Sequence, residues 1–176
     1  TQTSRGLGDV YKRQVQFAFL AELGGADSIT VHLREDRRHI QDRDVFLLKK
    51  TIKTKLNLEM AATKEMLEIA KKLVPDYVTL VPEKREEVTT EGGLDVKGNV
   101  NYLKNFVENL KDSNIEVSAF IDPLGEQINC SKEIGFNFIE LHTGKYAELT
   151  GYEQHKELQR IIESTHLAND LGLVVN

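Results

Sequence analysis

Short apolar runs rich in β-branched residues alternate with longer amphipathic segments from residue 28 to the end of the chain. That alternation restricts the fold to βα units built around a parallel sheet. Six runs have strand character: residues 28–33, 56–60, 77–81, 116–121, 137–141 and a last one from about residue 173. Between them the periodicity is helical. Leu103, Phe106, Val107 and Leu110 recur at i, i+3, i+4 and i+7, and Val45, Leu48 and Ile52 form a shorter stripe after a predicted N-cap at Asp42. Thr63 is read as the cap of a helix running to Leu73, which Pro75 stops. Gly24-Gly25 and Gly135 stand where helices should end, because the residue after a helix often needs positive φ. A long final helix is predicted over residues 152–170.

Consecutive βα units suit either an open doubly wound sheet or most of a (β/α)8 barrel. An open nucleotide-binding sheet should carry a glycine-rich phosphate loop after an early strand, and neither G-x-G-x-x-G nor G-x-x-x-x-G-K-[ST] is present. Instead, nearly every strand delivers ionisable side chains at its C-terminal end: His32 and Arg34, Glu59, Glu83-Lys84-Arg85, Asp122, Glu140 and His142. Residues arriving from many strands at one rim are what a barrel mouth provides. The fold class is therefore α/β, a (β/α)8 TIM barrel that is incomplete, with about six of its eight units and without the first and last strands. At 176 residues the chain falls short of the roughly 250 residues usual for that fold.

Charge and composition remove several function classes. The formal net charge of −5 argues against a nucleic-acid surface, which is normally basic. No apolar run approaches the ~18 residues of a membrane span, and no secretory signal pattern is present. Cys130 is the single cysteine, so neither an intrachain disulfide nor a cysteine zinc site can form. A cytoplasmic location fits.

Side chains alternate across a strand, so Thr30, His32 and Arg34 share one face while Val31 and Leu33 take the other. The same period pairs Asn57 with Glu59, and Glu140 with His142. Buried carboxylates are costly unless paired or protonated, and burial raises their pKa toward values useful for acid–base work. Any one of these residues could be a plain ion-pair partner; three strands aiming a His or Glu inward favour a site. Arg34 to His39 holds three arginines and a histidine directly after a strand, a candidate phosphate cradle because guanidinium forks match phosphate oxygens. For Arg37 and Arg38 a solvated charge run, neutralised by Glu35 and Asp36, is the equal alternative. The polar stretch from Glu83 to Asp95 reads as a long functional connection, with hydroxyls at Thr89-Thr90 and hinge freedom at Gly92-Gly93. Cys130 is read as a small core residue, and His155 and His166 as solvent-facing. A metal site from His32, Glu59, Glu140 and His142 would lack the usual H-x-H or H-E-x-x-H spacing.

Several longer motifs resemble one family. They are Gly25-Ala26-Asp27, Ile29 through His39 with Asp42-Arg43-Asp44, Asn57-Leu58-Glu59-Met60-Ala61, Leu80 through Arg85, Glu87 through Asp95, Phe120-Ile121-Asp122, and Phe138 through Gly144. In this order they resemble the pyridoxine 5′-phosphate synthase family, the ring-closing enzymes of de novo vitamin B6 synthesis. The likeness runs from about Val15 to Asn176, and the run V-P-E-K-R-x-E-V-T-T-E-G-G-L-D is idiosyncratic enough to carry it.

The resemblance implies a barrel assembled as a homo-octamer that uses neither metal nor organic cofactor. Its partners are small phosphorylated substrates: it condenses 1-deoxy-D-xylulose 5-phosphate with 3-amino-2-oxopropyl phosphate. By position, His32 and Glu59 correspond to the family's proton acceptors and Glu140 to its transition-state stabiliser. Arg34 and His39 correspond to contacts with the ketose phosphate, and Thr89 to a contact from a closing loop. The family's opening N-x-D-H strand has no counterpart in residues 1–14, which read as a non-native segment before a partial catalytic domain over residues 15–176. Its A-G-H-G motif, which holds the proton donor, has no counterpart after Asn176. The chain is accordingly expected to be inactive alone. The competing expectations are a metal-dependent phosphosugar epimerase or isomerase barrel, and a non-catalytic barrel remnant.

Overall fold

The computed structural model describes residues 14–83 and 92–176. The chain enters on a helix, α1, over residues 14–23. The turn that ends α1 is tied by Ala26 N–H to Ala21 O at 3.0 Å, and Gly25 adopts φ 92, a backbone region nearly closed to other residues. From there strands and helices alternate: β1 (Ser28–His32), α2 (Asp42–Thr51), β2 (Lys55–Met60), α3 (Lys64–Leu73), β3 (Tyr77–Leu80), α4 (Val100–Lys111), β4 (Glu116–Ile121), α5 (Gly125–Ile134), β5 (Phe138–Leu141), α6 (Gly144–Glu148), α7 (Gly151–Asp170) and β6 (Val174–Val175).

The strands form one parallel sheet in the order β1-β2-β3-β4-β5-β6. Each strand pairs with the next in the chain and the order never reverses. A doubly wound sheet must reverse at its switch point, whereas a barrel wall never does, so the topology is that of a (β/α) barrel left open. Leu33 N–H bonds Glu59 O and Val81 N–H bonds Met60 O, both at 3.0 Å, so the ladders continue one residue past β1 and β3.

One face of the sheet is apolar throughout. Ile29, Leu33, Leu56, Leu58, Met60, Val78, Leu80, Val117, Ala119, Ile121 and Ile139 are buried and form the core with Val45, Leu48, Met66, Leu103, Val107 and Leu110 of the helices. The opposite face carries polar side chains beside the aromatic pair Tyr77 and Phe138. Thr30, Asn57, Thr79, Ser118 and Glu140 line a concave space of about 630 Å³, where Thr79 Oγ1 donates to Asn57 Oδ1 at 3.1 Å and Asn57 Nδ2 to Thr30 Oγ1 at 3.4 Å. Barrel interiors are usually filled by bulky branched residues; small polar ones leave this wall of the lumen hydrophilic.

Local details depart from the sequence reading in two places. The N-cap of α2 is Gln41, not Asp42: Gln41 N–H donates to Asp44 Oδ2 at 2.9 Å, so the side chain that reaches back is three positions on and Asp42 is already helical. The segment before α7 also forms a short helix of its own, α6, and Gly151, at φ 61, turns the chain between the two. Thr63 does cap α3, its Oγ1 accepting from Met66 N–H at 3.4 Å. Thr63→Ala should cost about 1 kcal/mol, read from a shifted urea midpoint with unchanged slope. Cys130 is half-buried against the core, and His155 and His166 are exposed. No helix among the described residues is long and apolar enough to cross a membrane.

Candidate active site

Parallel strands all end at the same rim, and the register sets which side chains meet there. His32 stands beside Glu59 in the β1–β2 ladder, Glu59 beside Thr79, and Phe120 beside Glu140. His32 Nδ1 lies 3.7 Å from Glu59 Oε2, and its Nε2 lies 2.7 Å from Glu83 Oε1. Glu83, two residues past the end of the β3–β2 ladder, also accepts Glu35 N–H at 3.0 Å through its other oxygen. Four ionisable groups from four strand ends are thereby gathered: His32, Glu59, Glu83 and, across the lumen, Glu140.

Their electrostatics divide the three carboxylates. Burial pushes Glu59 above the ordinary glutamate value, only partly opposed by the charge on His32. Burial likewise raises Glu140, and the nearby Glu59 raises it further. Glu83 goes the other way. Burial alone would raise it, but the His32 hydrogen bond, the Glu35 N–H and the charges of His32 and Arg34 together hold it low. Neighbouring acids whose proton affinities are pushed apart in this way are the usual arrangement of acid–base sites.

Arg34 lies one step further along the β1 wall. It is buried, and its Nε, 3.4 Å from Asp36 Oδ1, makes no hydrogen bond among the described residues. Arg37, at φ 52, is committed to structure: its Nε donates to Asp42 Oδ1 at 2.8 Å, its guanidinium pairs with Glu65 Oε1 at 2.5 Å, and Glu35 O accepts from it at 2.8 Å. Arg38 pairs with Asp36 Oδ2 at 2.6 Å, and this contact is chiefly what lowers the Asp36 carboxyl to about 2. Two of the three arginines therefore stitch the loop together, as the solvated-charge reading allows, although Arg37 uses Asp42 and Glu65 rather than the Glu35 carboxylate. His39 is exposed, and with His32 it borders a groove of about 470 Å³ lined also by residues of α1 and β1. Thr89 falls outside the described residues.

On the far side of the rim the sequence places Asp122 and His142 at strand ends but does not pair them. His142 Nδ1 lies 3.1 Å from Asp122 Oδ1, its imidazole edge-on to Phe120 at 5.1 Å, and the same Asp122 oxygen accepts Gly93 N–H at 3.2 Å. Leu94 N–H bonds Phe120 O at 2.7 Å. Gly93 is thus pressed onto the end of β4: a Cβ there would sit 2.2 Å from Asp122 N and 2.4 Å from the Ile121 carbonyl carbon. Close approach, not hinge freedom, is what demands this glycine. Gly93→Ala should cost about 1–3 kcal/mol, because the overlap is with backbone and cannot be relieved by a rotamer change; thermal denaturation measures it. Glu83 and Asp122 stand at strand ends where an acid is visible in the sequence, but their histidine partners belong to other strands, so only the assembled sheet pairs them. Among the described residues no three His, Cys, Asp or Glu side chains are grouped as a metal site.

Comparison with known proteins bears on both fold and family. The backbone superposes on a mandelate oxidase variant carrying an FMN adduct with a TM-score of 0.63 at 12% identity, over 94% of this chain and 56% of that one. A flavocytochrome b2 variant gives 0.62 at 14%, over 93% and 48%. At such identities the likeness is one of fold alone. In sequence, the chain is 91% identical over 162 residues to a pyridoxine 5′-phosphate synthase of Prochlorococcus marinus strain MIT 9312, spanning 92% of this chain and 68% of that protein. It is 62% identical over 160 residues to the Synechocystis protein of the same name, spanning 90% and 66%. The chain thus spans about two thirds of the length of these relatives. A family model described as pyridoxal phosphate biosynthesis protein PdxJ matches residues 7–176, and the chain belongs to that family.

Proposed function

We propose that this chain is the greater part of a pyridoxine 5′-phosphate synthase of vitamin B6 biosynthesis. Its reaction is the condensation of 1-deoxy-D-xylulose 5-phosphate with 3-amino-2-oxopropyl phosphate to pyridoxine 5′-phosphate, inorganic phosphate and water. The observation that carries the proposal is the cluster at the strand ends: His32 within 3.7 Å of Glu59, with Glu59 and Glu140 both raised above the ordinary glutamate value by burial. Amine attack on a ketone, enamine formation, loss of phosphate, ring closure and dehydration require several proton transfers, which no single group can serve in sequence. Glu59 and His32 exchange protons with the condensing intermediates. Glu140 stabilises charge across the lumen, and Arg34, with His39 further along the same wall, binds the ketose phosphate. Thr89 contacts that substrate from the connection after β3. The working enzyme is a cytoplasmic homo-octamer, and the chain alone, at about two thirds of its relatives' length, does not turn over.

The test is to extend the chain to the length of its Prochlorococcus marinus relatives and supply both phosphorylated substrates, following pyridoxine 5′-phosphate and inorganic phosphate by chromatography. Stoichiometric formation of both in the presence of a chelator is expected. Absence of product, or turnover of a phosphosugar that appears only on adding a divalent metal, would overturn the assignment in favour of an epimerase or isomerase barrel. The unextended chain serves as the second arm: full turnover there would refute the statement that it needs the remaining third.

A further inference from the structure

Glu83 is held more tightly than a surface acid would be. Its side chain is 4% exposed, and each carboxylate oxygen has its own donor: Oε1 takes His32 Nε2 at 2.7 Å and Oε2 takes Glu35 N–H at 3.0 Å. To make the first contact it must reach past β2, since β1 and β3 flank that strand on either side. Pro82 precedes it and fixes one backbone torsion of the connection. An ionised carboxylate has only acceptors, so the His32 nitrogen facing it must carry hydrogen. In a neutral imidazole the other nitrogen then has the lone pair, and that nitrogen, Nδ1, is the one turned to Glu59. Glu83 also remains ionised at neutral pH, because the His32 and Glu35 hydrogen bonds outweigh its burial.

We infer that Glu83 is a positioning residue for the reaction proposed above: it fixes His32 in the Nε2–H tautomer, so that Nδ1 faces Glu59 and the substrate as the proton-accepting atom. Glu83 touches no substrate. It acts through His32, as a carboxylate behind a histidine does wherever the tautomer must be chosen. The inference rests on the functional reading for its catalytic consequence, but not for its structural one. Glu83→Gln separates the two roles of the side chain. One amide oxygen can still accept from Glu35, which leaves the amide nitrogen, a donor, facing His32. That reverses the preference of the ring and moves the hydrogen to Nδ1.

The test has two readouts. In the 20.0 kDa chain, labelled with 15N-histidine and held at a pH where imidazoles are neutral, the His32 resonances should report hydrogen on Nε2, and Glu83→Gln should shift the hydrogen to Nδ1. In the extended enzyme, Glu83→Gln should lower kcat by about 10- to 100-fold while KM for both substrates stays within about twofold. Glu83→Ala serves as the second variant, losing the Glu35 tie as well and therefore raising KM in addition. An Nδ1–H tautomer in the unmodified chain, or unchanged kcat in Glu83→Gln, would overturn the inference. So would a parallel rise in KM in Glu83→Gln with the tautomer unmoved, since that marks a residue that only shapes the loop. If the extended enzyme makes no product at all, the functional reading fails, and the tautomer measurement still decides whether Glu83 positions His32.

Discussion

Glu59→Gln in the extended enzyme lowers kcat by about 10²–10⁴-fold, the range usual for losing a general acid or base, with KM little changed. The amide keeps the size of the side chain and can still donate a hydrogen bond toward His32, but it cannot take up and return a proton. The same substitution should make the folded protein more stable at neutral pH, and the sign follows from the direction of the shift. Burial raises Glu59 in the folded state above the ordinary value of 4.5. The unfolded chain therefore ionises this group more readily than the folded one, and stability is lost as pH rises from 4.5 through the folded pKa. Glutamine carries no such penalty, so the variant melts higher at pH 7, and the two curves converge below pH 4.5, where both side chains are neutral. Activity and stability moving in opposite directions would identify a residue kept for chemistry. Wild-type turnover would remove Glu59 from the mechanism, and a lower melting temperature at neutral pH would show that it serves as an ion-pair partner.

Arg34→Ala is the second large effect, and it falls on KM. Its neighbours are otherwise occupied: Asp36 takes its main partner from Arg38, while Arg37 is tied to Asp42 and Glu65. Arg34 is left as the buried guanidinium whose Nε makes no hydrogen bond among the described residues. Under the proposed function its fork binds the ketose phosphate. Truncating one side of a desolvated, hydrogen-bonded charge pair costs about 2–5 kcal/mol, so KM for 1-deoxy-D-xylulose 5-phosphate should rise by at least ~30-fold. KM for the amine substrate should move less. Arg34→Lys retains the charge without the planar fork and should recover only part of the loss. If Arg34→Ala lowers the melting temperature but leaves KM alone, Arg34 is a structural counter-charge to Glu83 and Asp36.

The two substitutions also mark how far residue patterns reach. Period-two alternation in residues 28–34 was enough to put His32 and Arg34 on one face, because a strand allows its side chains no other arrangement. Alternation placed Glu59 and Glu140 on the inner face of their own strands for the same reason. It could not say that His32 and Glu59 are neighbours, since that depends on the β1–β2 register, nor that Glu83 passes β2 to reach His32. The arginine cluster shows the complementary limit. Phase with His32 sets Arg34 apart from Arg37 and Arg38 in the sequence, but only the packing of the loop against Asp42 and Glu65 shows that Arg37 is structural. Gly93 is similar: a glycine pair suggests freedom, but the space it leaves is taken by the backbone of β4.

By itself, then, the sequence determined the βα alternation, the parallel sheet, the polar rim and the helix ends at Gly25 and Gly135, because all of these follow from local periodicity and backbone sterics. Tertiary structure alone decided the β1–β2 register that sets His32 beside Glu59, the division of the carboxylates into raised Glu59 and Glu140 and lowered Glu83, and the pairing of His142 with Asp122. These depend on which strand lies beside which and on how much water reaches each side chain, and neither quantity is carried by a residue and its neighbours along the chain.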